Sequence, residues 1–215
     1  VLDKITSLHC ADDGTVWAGH IYGGISRYHP PSVLTGENRF SDLSTSGMGK
    51  FTSYTPEVPN QYGPDGLTGT TSHVIEQSSD GRIWLGGFEW DSGQGGLSIY
   101  DGNSFATLTT EDGLPSGAVD CIFPATDGVM WMGTGGRGQH LKGGVARYDG
   151  KGLVIFTTAD GLVSNQVFSI YQTSNGAFWF GTDKGVSVYH PTEFHRISEA
   201  DGLVNNDVTV IHCDP

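Results

Sequence analysis

The sequence predicts an all-β fold made of one four-stranded antiparallel unit repeated four times, and three observations carry that expectation. A strand-like run containing Trp-x-Gly recurs as TVWAG (15–19), RIWLG (82–86), VMWMG (129–133) and AFWFG (177–181). Each run follows an Asp-Gly or Asn-Gly turn that closes at Gly14, Gly81, Gly128 or Gly176. Such a dipeptide between two apolar runs is the strongest short-range hairpin signal. Finally, 33 of the 215 residues are glycine without a three-residue period. That excludes a collagen-like rod and leaves tight turns in a β protein.

The remaining strands fall into place around these hairpins. Strand one reads ITSLHC from Ile5, SHVIEQ from Ser72, VDCIFP from Val119 and VFSIYQ from Val167. After strand two come a glycine-rich loop and a third strand ending at Tyr28, Tyr100, Tyr148 or Tyr189. A fourth strand starts at Phe51, Phe105, Leu153 or Phe194, and each unit closes with Asp-Gly-Leu at Asp65, Asp112, Asp160 or Asp201. The units run about 5–64, 72–111, 119–159 and 167–200 within a single domain, and 208–213 begins a fifth. The first unit carries an insertion, 30–50, and a second stretch, 56–63, both rich in Pro, Gly, Ser and Asn and read as loop.

Both faces of this unit are bulky. In strand two the Trp points one way, while Val16, Ile83, Met130 or Phe178 points the other. Such a sheet cannot leave one side in water as an ordinary meander does. A radial array gives every sheet two like neighbours, so the expected architecture is a β-propeller with one extra C-terminal strand. Trp17, Trp84, Trp131 and Trp179 then take equivalent places between blades, and replacing Trp179 by Ala opens a large cavity. A parallel β-helix is the rival, but its rungs do not need a hairpin in every unit. Three closures fit: a four-blade ring with a stray strand, an arc of a larger ring, or closure by a second chain. The strand 208–213 is apolar and has no expected partner in its own chain, so it favours a homodimer formed through it.

A formal charge of −13, from 24 acidic and 11 basic residues, disfavours nucleic acid and anionic membrane surfaces as partners. No apolar run is long enough for a membrane span, and no export signal is present. The chain begins at Val1, and that missing signal does not argue for a cytoplasmic location. Cys10, Cys121 and Cys213 follow no metal-ligand spacing and are expected to be core thiols. A Cys10–Cys213 bridge would require two homologous innermost strands to meet.

The string DGLxxxxV…DGxxWxGT…GGxxxY resembles the two-component-regulator propeller repeat. The fourth copy carries it on Asp160-Gly161-Leu162, Val167, Asn175-Gly176, Trp179, Gly181-Thr182, Gly185 and Tyr189. The resemblance runs over nearly the entire chain. Blade one departs from it, with Gly19-His20 in place of Gly-Thr, and so does blade two, with Gly86-Gly87. This resemblance implies a sensory propeller module in a periplasmic or extracellular setting.

Candidate chemistry lies in the loops between strands two and three, where the repeat varies. These read HIYGG (20–24), GFEWDSGQGG (87–96), TGGRGQHLKGG (134–144) and TDKG (182–185). Trp90 between Glu89 and Asp91 suits a sugar or a short polar peptide, and equally a packing contact with a neighbouring loop. Arg137 and His140 are expected on the same face, either salt-bridged to those carboxylates or completing a binding rim. His20, Tyr22, Asp183 and Lys184 are candidates for the rest of the mouth. No cofactor is expected. His9, His73 and His212 stand in mixed register and make no zinc site, and no compact D-x-D-x-D loop suits calcium. The Asp-Gly-Leu aspartates, made alike in every copy, are expected to cap local backbone. No G-x-S-x-G setting is present. The expected function is non-catalytic ligand binding or sensing. The alternatives are a self-associating structural propeller, and a propeller lyase or hydrolase using His20, Glu89 or His140.

Overall fold

A computed structural model describes residues 4–21, 24–30, 49–54, 67–68, 71–88, 95–136, 142–191 and 193–212. It contains sixteen strands in four separate meanders. Blade 1 holds β1 (Ile5–Cys10), β2 (Val16–His20), β3 (Ile25–His29) and β4 (Lys50–Tyr54). Blade 2 holds β5 (Thr71–Gln77), β6 (Ile83–Phe88), β7 (Gly95–Tyr100) and β8 (Phe105–Leu108). Blade 3 comprises β9 (Val119–Pro124), β10 (Met130–Thr134), β11 (Gly144–Tyr148) and β12 (Leu153–Phe156). Blade 4 comprises β13 (Val167–Gln172), β14 (Phe178–Thr182), β15 (Gly185–His190) and β16 (Glu193–Ile197). Of the insertion, 30–50, residues 31–48 lie outside the described residues, as does the stretch 56–63, and Lys50 already belongs to β4.

The hairpins between strands one and two are built alike. A carboxylate or amide oxygen accepts from the backbone N–H two residues on: Asp13 from Thr15, Asp80 from Arg82, Asp127 from Val129 and Asn175 from Ala177. The glycines closing these turns, Gly14, Gly81, Gly128 and Gly176, have φ between 81° and 85°, where a side chain would be strained. Three of the Asp-Gly-Leu segments are equally regular, and Asp65 of the first lies outside the described residues. Asp112, Asp160 and Asp201 each accept from the backbone N–H and the hydroxyl of a Thr or Ser three residues earlier. They are local caps, as the sequence suggested.

Blades stack through one repeated seam. Trp17 packs on Ile75, Ile83, Leu85 and Tyr100 of blade 2. In the same way Trp84 packs on Ile122, Met130 and Met132 of blade 3, and Trp131 on Ile170, Phe178 and Phe180 of blade 4. Each indole also meets the third-strand Tyr of the next blade, at 5.3 Å (Tyr100), 5.6 Å (Tyr148) and 5.9 Å (Tyr189). The strand-two glycine lets the first strand of the next blade approach closely. A Cβ on Gly133 would sit 2.8 Å from the carbonyl oxygen of Val167, and one on Gly181 would sit 2.8 Å from that of Val208. Trp17, Trp84 and Trp131 are buried as expected.

Trp179 corrects that expectation, because it is only half-buried. Among the described residues only the segment 203–212 covers its outer flank, in part, through Leu203, Val208 and Ile211. That segment corrects a second expectation as well. It is not without a partner in its own chain, since the Val208 N–H donates to the Thr182 carbonyl at 2.8 Å.

Seams join blade 1 to 2, 2 to 3 and 3 to 4, and no comparable contact joins blade 4 to blade 1 among the described residues. Among the described residues the four blades form an arc, with no seam between the last and the first. Accordingly Ile5, Leu8 and Phe51, on the outer side of blade 1, are exposed. Cys10 is a free, exposed thiol and not a core one, because it shares that open side. Cys121 is free as well; burial pushes its thiol pKa up, out of the reactive range. Cys213 lies outside the described residues. No described helix is long and apolar enough to cross a membrane.

Candidate functional site: the loop face and the cleft between blades 1 and 2

Strand two of every blade ends at the loop face, and the residue at that end decides how the loop closes. In blades 3 and 4 it is a buried Thr. The Thr134 hydroxyl donates to the Gly144 carbonyl at 3.0 Å and the Thr182 hydroxyl to the Gly185 carbonyl at 2.8 Å. Blade 2 places Gly87 at that register and blade 1 places His20. The His20 ring is half-buried, with Nε2 3.0 Å from the Ser26 hydroxyl. In the short turn of blade 4, the Lys184 N–H donates to the Thr182 hydroxyl at 3.1 Å, and Lys184 is exposed. Asp183 keeps one buried carboxylate oxygen without a hydrogen-bond partner.

The loops between strands two and three do border the connectors between blades. The Gly135 N–H donates to the Ala118 carbonyl at 3.1 Å, and the Gly136 N–H to Asp120 Oδ2 at 2.7 Å. Asp120 occupies the bulge of β9, with Thr6, His73 and Phe168 at the matching bulges. Sequence reasoning missed Asp120. Its signal was an acidic side chain at the bulge position, next to a glycine-rich loop whose backbone N–H groups need acceptors.

Of the nine candidate residues, His20, Asp183 and Lys184 are at the expected end of their blades. His20 belongs to blade 1 and the other two to blade 4, and those blades share no seam among the described residues. Tyr22, Glu89, Trp90, Asp91, Arg137 and His140 lie outside the described residues. Among the described residues, no group of three or more His, Cys, Asp or Glu gathers to hold a metal. His73 stacks on Phe88 at 4.7 Å, and burial lowers its pKa. His9 is lowered for the same reason, against the opposing pull of Asp12.

At the hairpin end, a cleft of about 450 Å³ opens between blades 1 and 2. Arg27 lies in its wall, 5.0 Å from the Trp17 ring and 5.4 Å from the Tyr100 ring. Its guanidinium donates to the Tyr100 hydroxyl at 3.4 Å and pairs with Asp13 at 3.6 Å. The rim is acidic. The Thr15 hydroxyl, ahead of Arg27, holds the Asp13 carboxyl below its ordinary pKa, and Arg82 holds Asp80 down to about 2. Backbone N–H groups of Ser104 and Asn103 lower Asp101. All three carboxylates are therefore ionised at neutral pH. Trp17 Nε1 is buried without a hydrogen-bond partner, because Ala11 stands where blade 2 has Ser78, whose Oγ accepts from Trp84 Nε1 at 3.0 Å. The sequence signal for Arg27 was a basic residue in strand three at the register facing the strand-two Trp. Arg147 repeats that pattern in blade 3, 5.9 Å from the Trp131 ring.

The repeat, with its seams and capped turns, has known counterparts. Residues 113–136 and 161–184 match the two component regulator propeller family. Both matched stretches run from the Gly of Asp-Gly-Leu through strand two, in blades 3 and 4. Among solved structures, one similar chain is the extracellular domain ascribed to a hybrid two component system of B. thetaiotaomicron. It is 18% identical with a TM-score of 0.68 over 94% of this chain and 24% of its own. Another is PorZ, a surface component of the type-IX secretion system of Porphyromonas gingivalis, 13% identical with a TM-score of 0.63 over 96% of this chain and 29% of its own. At these identities the likeness concerns the fold. The chain spans about a quarter of the length of these structures. No curated protein matches it.

Proposed function

We propose that the chain is a non-catalytic sensory propeller module that binds a small polar ligand, a carbohydrate or a short peptide, on its loop face. One observation carries this reading. The hairpin end repeats the same bond four times, whereas the loop end changes from Thr134 and Thr182 to His20 and Gly87. Variation confined to one end of a regular scaffold is what a recognition surface requires. Trp90 supplies the aromatic platform in this proposal. Glu89, Asp91, Arg137, His140, His20, Tyr22, Asp183 and Lys184 supply polar contacts. The extracellular setting of the B. thetaiotaomicron domain supports a periplasmic or extracellular location.

A glycan and peptide array probed with wild-type chain and with Trp90→Ala tests the reading. Specific signals that fall at least tenfold in the variant support it. Equal signals from the two proteins, or none from wild type, refute it. A second reading, a propeller that self-associates, is favoured by the exposed Ile5, Leu8 and Phe51 on the outer side of blade 1.

A further inference from the structure

We infer that the cleft between blades 1 and 2 at the hairpin end is a second ligand site, one that takes a neutral polyhydroxylated group such as a single sugar unit. It lies at the opposite end of the blades from the loop face and does not rest on the reading given above.

The floor of the cleft carries donors that lack acceptors. Trp17 is 1% exposed and its indole N–H has no hydrogen-bond partner. Arg27 lies 5.0 Å from that ring, and its Nε–H is likewise buried and unpartnered. The next seam shows what is missing. There Ser78, directly after strand one, accepts the Trp84 indole N–H on its hydroxyl at 3.0 Å, and Ile99 stands at the strand-three register of Arg27. Ala11 holds the Ser78 position in blade 1, and the same backbone bond fixes both: Ala11 N–H to the Thr15 carbonyl, Ser78 N–H to the Arg82 carbonyl. Ala11, Trp17 and Arg27 all line the cleft, so the seat of the absent hydroxyl opens on it. A buried N–H without an acceptor is costly, and folded proteins meet it with a protein group, a water or a ligand.

The rim supplies the opposite chemistry. Asp12, Asp13, Asp80 and Asp101 present carboxylate oxygens, which only accept. An anion able to satisfy the floor would be repelled by this rim, and a cation drawn to the rim would leave the floor without acceptors. A hydroxyl does both, accepting from Trp17 and Arg27 and donating to a carboxylate. The cleft, at about 450 Å³, holds several hydroxyls on one compact frame, inside the range of small-molecule sites, about 300–1,000 Å³. The last seam isolates the part played by the rim. It repeats the floor with Ala125, Arg147 and an unpartnered Trp131 indole N–H, but Asn175 and His190 stand where the first seam has Asp80 and Asp101. Among the described residues, donor floor and carboxylate rim coincide only between blades 1 and 2.

Indole N–H signals in proton–nitrogen NMR spectra read the site directly. Trp17→Phe identifies the Trp17 signal. A panel of neutral mono- and disaccharides is titrated against it, with glucuronate and spermidine as anionic and cationic comparators. At least one neutral sugar is expected to shift that signal saturably and to bind more tightly than either comparator. Ala11→Ser fills the seat with the protein's own hydroxyl, so it is expected to weaken that sugar at least tenfold in calorimetric titration while leaving the fold at least as stable. Asp101→Asn, which keeps the acceptor oxygen of its turn, is expected to weaken it severalfold. Ala125→Ser makes the same change in the last seam and is expected to leave the affinity within about twofold. The proposal is overturned if no neutral sugar moves the Trp17 signal, or if glucuronate or spermidine binds more tightly. Ala11→Ser binding as wild type does, or Ala125→Ser weakening binding equally, would also overturn it. A sugar seated only on the loop face leaves the Trp17 signal in place, so the two sites fail separately.

Discussion

Replacing Trp84 and Trp179 separately by Ala gives the most direct measure of how the blades hold together. Trp84 is 1% exposed and wedged among Leu97, Ile122, Met130 and Met132, with Tyr148 against its ring. Removing a buried indole from such a site costs about 3–5 kcal/mol, as lost transfer energy plus a cavity that neighbouring sheets cannot collapse. Losing its bond to Ser78 adds little, because that hydroxyl keeps Asp80 at 2.6 Å. Trp179 has one flank covered only by Leu203, Val208 and Ile211 and is half-buried. Its removal is expected to cost roughly half as much, about 2 kcal/mol on an area basis. Urea unfolding followed by circular dichroism reads both. With a slope of about 2–3 kcal/mol/M, Trp84→Ala lowers the midpoint by more than about 1 M, and Trp179→Ala by distinctly less. Equal midpoints would refute the reasoning, since the last seam would then be as tight as the inner ones.

Four further outcomes are expected. Ala11→Ser supplies an acceptor for the orphaned Trp17 indole N–H and raises stability by about 1 kcal/mol in the same urea assay; an unchanged or lower midpoint contradicts it. Burial raises the Glu76 pKa above its unfolded value, so its unfavourable contribution is absent below the ordinary carboxylate pKa and grows as pH rises through the folded one. Glu76→Gln is therefore expected to raise the thermal midpoint at pH 7 and leave it little changed at pH 3, read by calorimetry. Gly133→Ala forces a methyl to within 2.9 Å of Val167 Cγ1 and is expected to cost about 1–3 kcal/mol, whereas Gly152→Ala, where no atom lies within 4 Å of the new Cβ and φ is not left-handed, serves as the control for a glycine that is not packed. Native-state labelling with N-ethylmaleimide, mapped by mass spectrometry, is expected to modify Cys10 and spare Cys121, and the reverse pattern would place blade 1 differently.

Much of this architecture was legible in the residues because it is local. An Asp-Gly turn between apolar runs specifies its hairpin whatever surrounds it, and all four hairpins carry the same Asx bond. The alternation of Trp with Val, Ile, Met or Phe along strand two gave the two-sided sheet, and with it the stacking. The features that escaped depend on which neighbour a blade has. Trp179 reads like Trp84 in sequence, yet its burial is set by the thin segment that lies against it in place of a full blade. Cys10 resembles a core thiol until the side of blade 1 that carries it proves open. Arg27 reads as an ordinary surface residue of a strand, and only the register shows it lying across from Trp17, with Tyr100 arriving from the next blade. On the loop face, His20, Asp183 and Lys184 lie at the loop ends of blades 1 and 4. The carboxylate of Asp120 was not anticipated, because a bulge in β9 decides where it points.

The seam glycines have an implication for how such chains change length. Gly86, Gly133 and Gly181 each admit the opening strand of the following unit, and the indole two residues before receives its aliphatic pair. Every junction therefore uses one adaptor, and no unit depends on any beyond its immediate neighbours. Whole units can be gained or lost by duplication and deletion without redesigning a single contact, provided that something suitable shields the two outermost sheets.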